Sequence, residues 1–289
     1  LYSVHYGFFV YMILSGTALA KIMNETTAKR VDDLKNKGIL PKLAVVLVGN
    51  DSASRLYIQK KQEAAEKIGI DFALYEFLDT ISQEKLEKEI QHIQKTDNIS
   101  GLIIQLPVPE NFYPTVLNAV DPAFDVDCLT HTNLGKLVMK THTMMPPTPG
   151  AVMMLLKETN IPLRGKTVVI VGMGILVGKP LSIILMNEGA TAIVCNSATK
   201  NLAQYTKHAD IIITGVGKKH IITKDMVGTN QIIIDAGVDF VNNQMFGDVD
   251  FEAIAPDAAY ITPTPGGVGP LTVAQLLLNT VIAAEELKK

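Results

Sequence analysis

The sequence predicts an α/β chain of two domains, each built on a parallel sheet, and three observations carry that prediction. Short β-branched or apolar runs alternate with stretches of helical spacing for most of the 289 residues. The runs are apolar throughout rather than every second residue, which suits strands buried on both faces. Finally, a chain of this length exceeds what one core usually serves, and residues 141–150 (THTMMPPTPG) put three prolines in ten positions, a break that reads as a domain-crossing loop with no helix or strand of its own.

The elements follow in order. The apolar run Gly7 to Leu14 precedes Ala18-Leu19-Ala20, but no basic residue stands before it and it is too short to span a bilayer, so it is not read as a secretory signal. Met12 is taken as the natural start, residues 1–11 as an extension, and Ser15 as the N-cap of a helix over Ala18 to Leu34. Leu43 to Val48 (LAVVLV) is a strand, Ser52 to Ile68 a helix, Phe72 to Glu76 a strand, Gln83 to Gln94 a helix and Gly101 to Gln105 a strand. Beyond the proline-rich break come a helix over Ala151 to Lys157, a strand Thr167 to Val171 (TVVIV), a helix Leu176 to Asn187, and strands at Ala192 to Cys195, Ile211 to Thr214 and Ile232 to Asp235. A last helix, Leu271 to Leu287, follows a loop rich in Gly and Pro and is expected to return to the first domain. The boundaries expected are 12–150, joined by 270–289, and 151–269.

Composition excludes several classes. Hydrophobic residues are 47% and charged residues 19%, a folded globular balance. The net charge of -3, without a Lys/Arg cluster, argues against nucleic acid as a partner. Cys128 and Cys195 are the two cysteines and stand in no metal-ligand spacing, so neither a disulfide framework nor a metal site is expected, and a reducing, cytoplasmic setting away from membranes is.

The strand TVVIV runs into Gly172-Met173-Gly174-Ile175-Leu176-Val177-Gly178 and then a helix. That context suits a Rossmann-type dinucleotide site, because glycine allows a tight turn with close backbone approach and the helix N-terminus offers N–H groups to a pyrophosphate. The spacing is GxGxxxG rather than GxGxxG. No Asp or Glu follows the next strand, which continues Asn196-Ser197-Ala198-Thr199-Lys200; this favours NADP, with NAD as the alternative.

On the helix Ser52 to Ile68, Tyr57 and Lys61 are four apart and share a face, with Ser54 one turn before. By itself such a pair also fits an ordinary charged helix. Gln105 ends an apolar strand, where α/β sheets place ligand-binding residues. Asp127 sits in the turn Phe124-Asp125-Val126-Asp127. A Tyr-x-x-x-Lys pair also marks short-chain dehydrogenases, but there it follows the Gly-rich loop, whereas here it precedes it.

With these pieces in place, the chain from about Met12 onward resembles the bifunctional methylenetetrahydrofolate dehydrogenase/methenyltetrahydrofolate cyclohydrolase family. The resemblance rests on Ser54-Arg55-Leu56-Tyr57 with Lys61, GLIIQLPVP at 101–109, DVD at 125–127, PPTPG at 146–150, VGKP at 177–180, TKNL at 199–202 and ITPTPGGVGPLT at 261–272. It implies an N-terminal catalytic domain, a NAD(P)-binding domain and an active-site cleft between them. The implied reactions are NADP-dependent oxidation of 5,10-methylenetetrahydrofolate and hydrolysis of the methenyl product to 10-formyltetrahydrofolate, in one-carbon metabolism and purine biosynthesis, by a homodimer. It further implies Lys61, Tyr57, Gln105 and Asp127 as catalytic residues. Substrate contacts would come from these and from Ser54, Ile104, Leu106, Pro265, Gly266, Gly267, Val268 and Gly269, and dinucleotide contacts from Gly172, Met173, Gly174, Ser197 and Val238.

Three positions depart from the family pattern: Met173-Gly174, where a small or basic residue and Ser are usual; Asn196, often His; and Cys128, where DVD is normally followed by Gly. The first two bear on the choice between NADP and NAD. Cys128 adds a Cβ where Gly has freedom at φ > 0. Two rivals follow: another two-domain oxidoreductase of the shikimate dehydrogenase type, and a folate-binding paralogue with weak dehydrogenase activity.

Overall fold

The computed structural model describes residues 2–6, 9–242 and 244–287, with side chains from Met12 onward. In chain order the main elements are β1 Tyr2–Tyr6, β2 Phe9–Ile13, α1 Gly16–Asn36, β3 Lys42–Val48, α2 Ser52–Lys67, β4 Asp71–Phe77, α3 Gln83–Thr96, β5 Gly101–Ile104, α4 His131–Val138 and α5 Pro147–Glu158. There follow β6 Thr167–Val171, α6 Gly178–Asn187, β7 Thr191–Cys195, α7 Ala203–Thr206, β8 Ile211–Thr214, β9 Ile232–Asp235, β10 Asp239–Val241, β11 Gln244–Phe246, α8 Phe251–Ile254, β12 Tyr260–Ile261 and α9 Val268–Glu286. The chain divides into two compact units, one of Lys21–Pro147 with Val273–Lys289, the other of Leu1–Ala20 with Thr148–Thr272.

The first of these is a parallel sheet of order β4-β3-β5. Its central strand β3 is buried over Leu43 to Val48, as its unbroken apolar run requires. Helices α2 and α3 start on side-chain caps, the Asp51 carboxylate accepting from the Ser54 N–H and the Ser82 hydroxyl from that of Lys85. Leu276, Leu277, Val281 and Ala283 of α9 join Val31, Leu43, Val45, Ile58 and Ile103 in one core. Among the described residues α9 has the length and composition to cross a membrane, and here it is a core helix.

The other unit holds a sheet of order β1-β2-β12-β9-β8-β6-β7, parallel throughout except for the β1–β2 pair. From β6 onward the chain steps outward to β7, then returns past β6 to β8, β9 and β12, so its switch point lies between β6 and β8. Val169, Val171, Ile212, Ile233, Ile254 and Ile261 form its core.

The structure corrects several expectations. The proline-rich segment is not all loop, because α5 begins at Pro147; a proline in the first helical turn lacks an N–H that no intrahelical carbonyl would have received. A strand not expected from the sequence, β2, takes in residues 9–11 and pairs with β12 through Met12 and Ile13. The first helix starts at Gly16 rather than Ala18, with the Ser15 hydroxyl accepting from the Ala18 N–H at 3.3 Å. Helix α6 starts at Gly178, two residues later than expected, and α9 starts at Val268.

Candidate functional site

In the three-stranded sheet the switch point lies between β3 and β5, and the candidate residues gather at the C-terminal ends of those strands. Gln105 follows β5 and stays in register, its N–H bonded to the Val46 carbonyl at 2.8 Å. The Lys61 ammonium donates to Gln105 Oε1 at 2.9 Å, and Gln105 Nε2 donates to the Leu106 carbonyl at 2.9 Å. Ser54, buried on α2, donates to that same carbonyl at 3.5 Å. Tyr57 stands half-buried one turn before Lys61. The helical period thus sets Ser54, Tyr57 and Lys61 along the flank of α2 beside the β5 end. Ile104 is buried, and the Leu106–Pro107 peptide is cis.

Asp127 reaches this group from a segment running beside β5, where the Leu102 N–H bonds the Phe124 carbonyl at 2.7 Å. The segment is held from two sides. Asp125, which sequence reasoning passed over, is buried and accepts from the N–H groups of Leu129 and Thr130 and from Asn133 Nδ2, at 2.9–3.1 Å. From α9, the buried Asn279 amide donates to the carbonyls of Val126 at 2.8 Å and Met145 at 2.7 Å. The first Asp of the DVD triplet was the available signal for Asp125; nothing local pointed to Asn279, which lies more than a hundred residues away.

The electrostatics are those of a partly desolvated cation and anion that act on one another. Burial lowers the Lys61 pKa, and the Asp127 charge opposes that shift. Burial raises Asp127 to about 6 against the attraction of Lys61, with Asp125 adding to the rise. Burial also raises the Tyr57 hydroxyl. An amine easier than usual to deprotonate therefore stands beside a hydrogen-bonding amide and a carboxylate, a set that serves proton transfer and recognition of N–H donors.

Cys128 has φ +57°, a left-handed conformation in which a side chain is strained. Burial holds its thiol well above the ordinary value, which makes it a poor nucleophile.

The dinucleotide candidates lie in the other unit, at the switch point between β6 and β8. Gly172 has φ +111°, and a Cβ on Gly178 would stand 1.9 Å from the Gly172 carbonyl oxygen, so only glycine lets the first turn of α6 close on the strand end. Val177, at the N-cap of α6, makes no side-chain cap; in the first turn the Lys179 N–H bonds the Gly174 carbonyl at 3.1 Å and Pro180 has no N–H, so the Gly-rich turn itself is the part left to approach an anion. Met173, Gly174 and Ser197 are exposed beside this turn. The loop after β7 is shaped by Thr199 and Asn196, whose side chains accept from the N–H groups of Asn196 and Ala198 at 2.9 Å. Asn196 Nδ2 lies 3.8 Å from Met173 Sδ. Val238 follows β9, half-buried. These backbone features fit a dinucleotide pyrophosphate.

The Pro265–Gly269 stretch is expected as a loop, and the structure moves Val268 and Gly269 into α9. The rest packs backbone against backbone: Thr17 N–H bonds the Gly266 carbonyl at 3.0 Å, and a Cβ on Gly16 would meet the Gly267 carbonyl oxygen at 1.7 Å.

Comparison with known proteins places relatives beside this geometry. Residues 14–127 match the family described as tetrahydrofolate dehydrogenase/cyclohydrolase, catalytic domain, and residues 146–288 its NAD(P)-binding domain. A bifunctional protein FolD from Nautilia profundicola is 46% identical, the alignment covering 96% of this chain and 98% of that protein. The crystal structure of the bifunctional FolD methylenetetrahydrofolate dehydrogenase/cyclohydrolase from Campylobacter jejuni superposes with a TM-score of 0.92 at 38% identity, over 96% and 99% of the two chains. The FolD structure from Trypanosoma brucei, solved with NADP cofactor and inhibitor, gives 0.92 at 31%, also over 96% and 99%.

Proposed function

Since the chain belongs to the tetrahydrofolate dehydrogenase/cyclohydrolase family, we propose that Lys61, Gln105, Tyr57 and Asp127 are its working residues. The enzyme oxidises 5,10-methylenetetrahydrofolate with NADP and hydrolyses the resulting methenyl cation to 10-formyltetrahydrofolate. The observation that carries the residue assignment is the Lys61–Gln105 hydrogen bond of 2.9 Å at the end of β5, with Asp127 acting on the same amine. NADP, when bound, takes up the hydride released by the methylene carbon.

What the protein's own groups do follows from their chemistry. Hydride transfer needs no acid or base, so the residues of this site serve it by holding the folate in register. Hydrolysis does need a base. Water adds to the methenyl carbon and gives up one proton; the ring C–N bond then breaks as the remaining hydroxyl proton passes to the departing nitrogen, leaving the formyl group on the other nitrogen. Lys61, its pKa lowered by burial, takes that proton in its neutral form, and Gln105 fixes the amine in place. Asp127 in its ionised form accepts N–H donors of the pterin ring in charge-assisted bonds. Ser54, Ile104 and Leu106 shape the wall beside them. Pro265, Gly266, Gly267, Val268 and Gly269 form the further folate-binding stretch, and Gly172, Met173, Gly174, Ser197 and Val238 hold the dinucleotide. In this reading the unit of Lys21–Pro147 with Val273–Lys289 serves the folate, and that of Leu1–Ala20 with Thr148–Thr272 serves the dinucleotide, apart from the folate-binding stretch just named. The protein works as a cytoplasmic homodimer feeding purine biosynthesis, which sedimentation at micromolar concentration checks.

The test follows nicotinamide absorbance with 5,10-methylenetetrahydrofolate and NADP or NAD, and separately the decay of added methenyltetrahydrofolate, in wild type and Lys61→Ala. Reduction of NADP by the wild type together with loss of methenyl decay in Lys61→Ala is expected. Unimpaired decay in Lys61→Ala overturns the role of the amine. Decay without reduction in the wild type favours the paralogue reading, motivated by the exposed Met173.

A further inference from the structure

Two buried carboxylates in the dinucleotide unit belong to no site described so far. Asp248 has no exposed surface and Asp235 only 3%. Asp248 Oδ2 accepts from the Thr214 hydroxyl at 2.5 Å and the Val216 N–H at 2.7 Å, and Oδ1 accepts from the N–H groups of Gly217 at 2.9 Å and Lys218 at 2.8 Å. Three consecutive amides thus wrap one carboxylate, the arrangement by which a backbone nest binds an anion, with the anion supplied by the protein itself. Asp235, at the end of β9, accepts from the N–H groups of Gly237 at 3.0 Å, Asp248 at 3.2 Å and Val249 at 3.0 Å.

The loops held this way are the ones at the switch point. A Cβ on Gly172 would stand 2.7 Å from the Gly215 carbonyl oxygen, and a Cβ on Gly217 would stand 3.2 Å from that of Val238. The segment 215–218 therefore lies between the Gly-rich turn and Val238, with Asp248 at its back. Gly237 makes room, since a Cβ there would fall 2.0 Å from the Asp248 carboxyl carbon. Buried carboxylates are costly to keep, and burial raises Asp235 to about 7. A loop left to itself after β8 would have three free N–H groups and many conformations.

We propose that Asp248, supported by Asp235, is a positioning residue for dinucleotide binding: it fills the amide nest of Val216 to Lys218 and so fixes the loop that joins the Gly-rich turn to Val238. With that nest internally occupied, the pyrophosphate is directed to the Gly-rich turn before α6. The inference rests on the dinucleotide site proposed above.

The experiment is isothermal titration of the full-length protein with NADP, together with dehydrogenase and methenyl-decay kinetics, for wild type, Asp248→Asn and Thr214→Val. Asp248→Asn keeps the shape but removes the charge and one acceptor. It is expected to weaken NADP at least tenfold and to raise KM for NADP in parallel, with kcat at saturation within threefold and methenyl decay within twofold of wild type. Thr214→Val removes one donor and is expected to weaken NADP about threefold; it decides the question if Asp248→Asn does not fold. NADP affinity equal to wild type in the deciding variant overturns the inference while leaving the dinucleotide site standing. A parallel fall in methenyl decay also overturns it, since the residue would then only support the fold. Failure of the wild type to bind NADP overturns the site and this inference together.

Discussion

Replacing Asp127 by Asn should stabilise the protein at neutral pH while disabling it. Burial holds the Asp127 carboxyl at about 6, against 3.8 for the free group, and that value already includes the attraction of Lys61. At 1.36 kcal/mol for each tenfold change in the ionisation constant, keeping the group charged at neutral pH costs about 3 kcal/mol. Asp127 is only half-buried by its exposed area, so solvent screening reduces the expected gain to about 1–2 kcal/mol. The sign follows from the folded pKa lying above the unfolded one. The penalty is absent below pH 3.8, grows as pH rises, and is complete above about 6. Urea unfolding of wild type and Asp127→Asn between pH 4 and 8 should therefore show two curves that lie close at pH 4 and diverge up to pH 7. Loss of a charge-assisted bond worth about 1.5–3 kcal/mol should slow methenyl decay by roughly ten- to a hundredfold in the same variant. A stability difference that does not change with pH, or an Asn variant less stable than wild type at pH 7.5, would refute the reasoning.

The other expectations concern the remaining departures and the Gly-rich turn. At Cys128, φ +57° favours glycine, so Cys128→Gly should exceed Cys128→Ala in unfolding free energy by about 1 kcal/mol, the reverse of the order in a helix; both lose the thiol, so their difference isolates the backbone. Gly178→Ala places a Cβ against the Gly172 carbonyl and should reduce dehydrogenase turnover with NADP at least tenfold, with methenyl decay retained as a check on the fold. Met173→Arg adds a guanidinium to an exposed position beside Asn196 and should lower KM for NADP relative to NAD by a factor of about ten, the value of one added phosphate contact.

Much of the candidate site's geometry was legible because its signals are local. Lys61 and Tyr57 share a face through the helical period alone, and Gln105 could be placed at a strand end because β5 is an unbroken apolar run. The Gly-rich turn was recognisable from the strand before it and the helix after it. Cys128 drew notice where a glycine was expected, and the positive φ of the structure supplies the reason. Other expectations failed where a residue's preference depends on its exact position: three prolines read as a break, yet Pro147 sits in the one helical turn that tolerates it.

What the sequence by itself determined is the alternation of elements, the apolar character of the buried strands, and the residue types proposed to carry the chemistry. These follow from periodicity and from motifs within a few residues of one another. Only the tertiary structure decided the strand orders, the pairing of β2 with β12, the hold of Asn279 on Val126 and Met145, and the convergence of Thr214 and Asp248 on one loop. The physical reason is separation along the chain. A hydrogen bond between distant residues is selected by the packing of the whole unit, and its partners carry no local pattern that names one another.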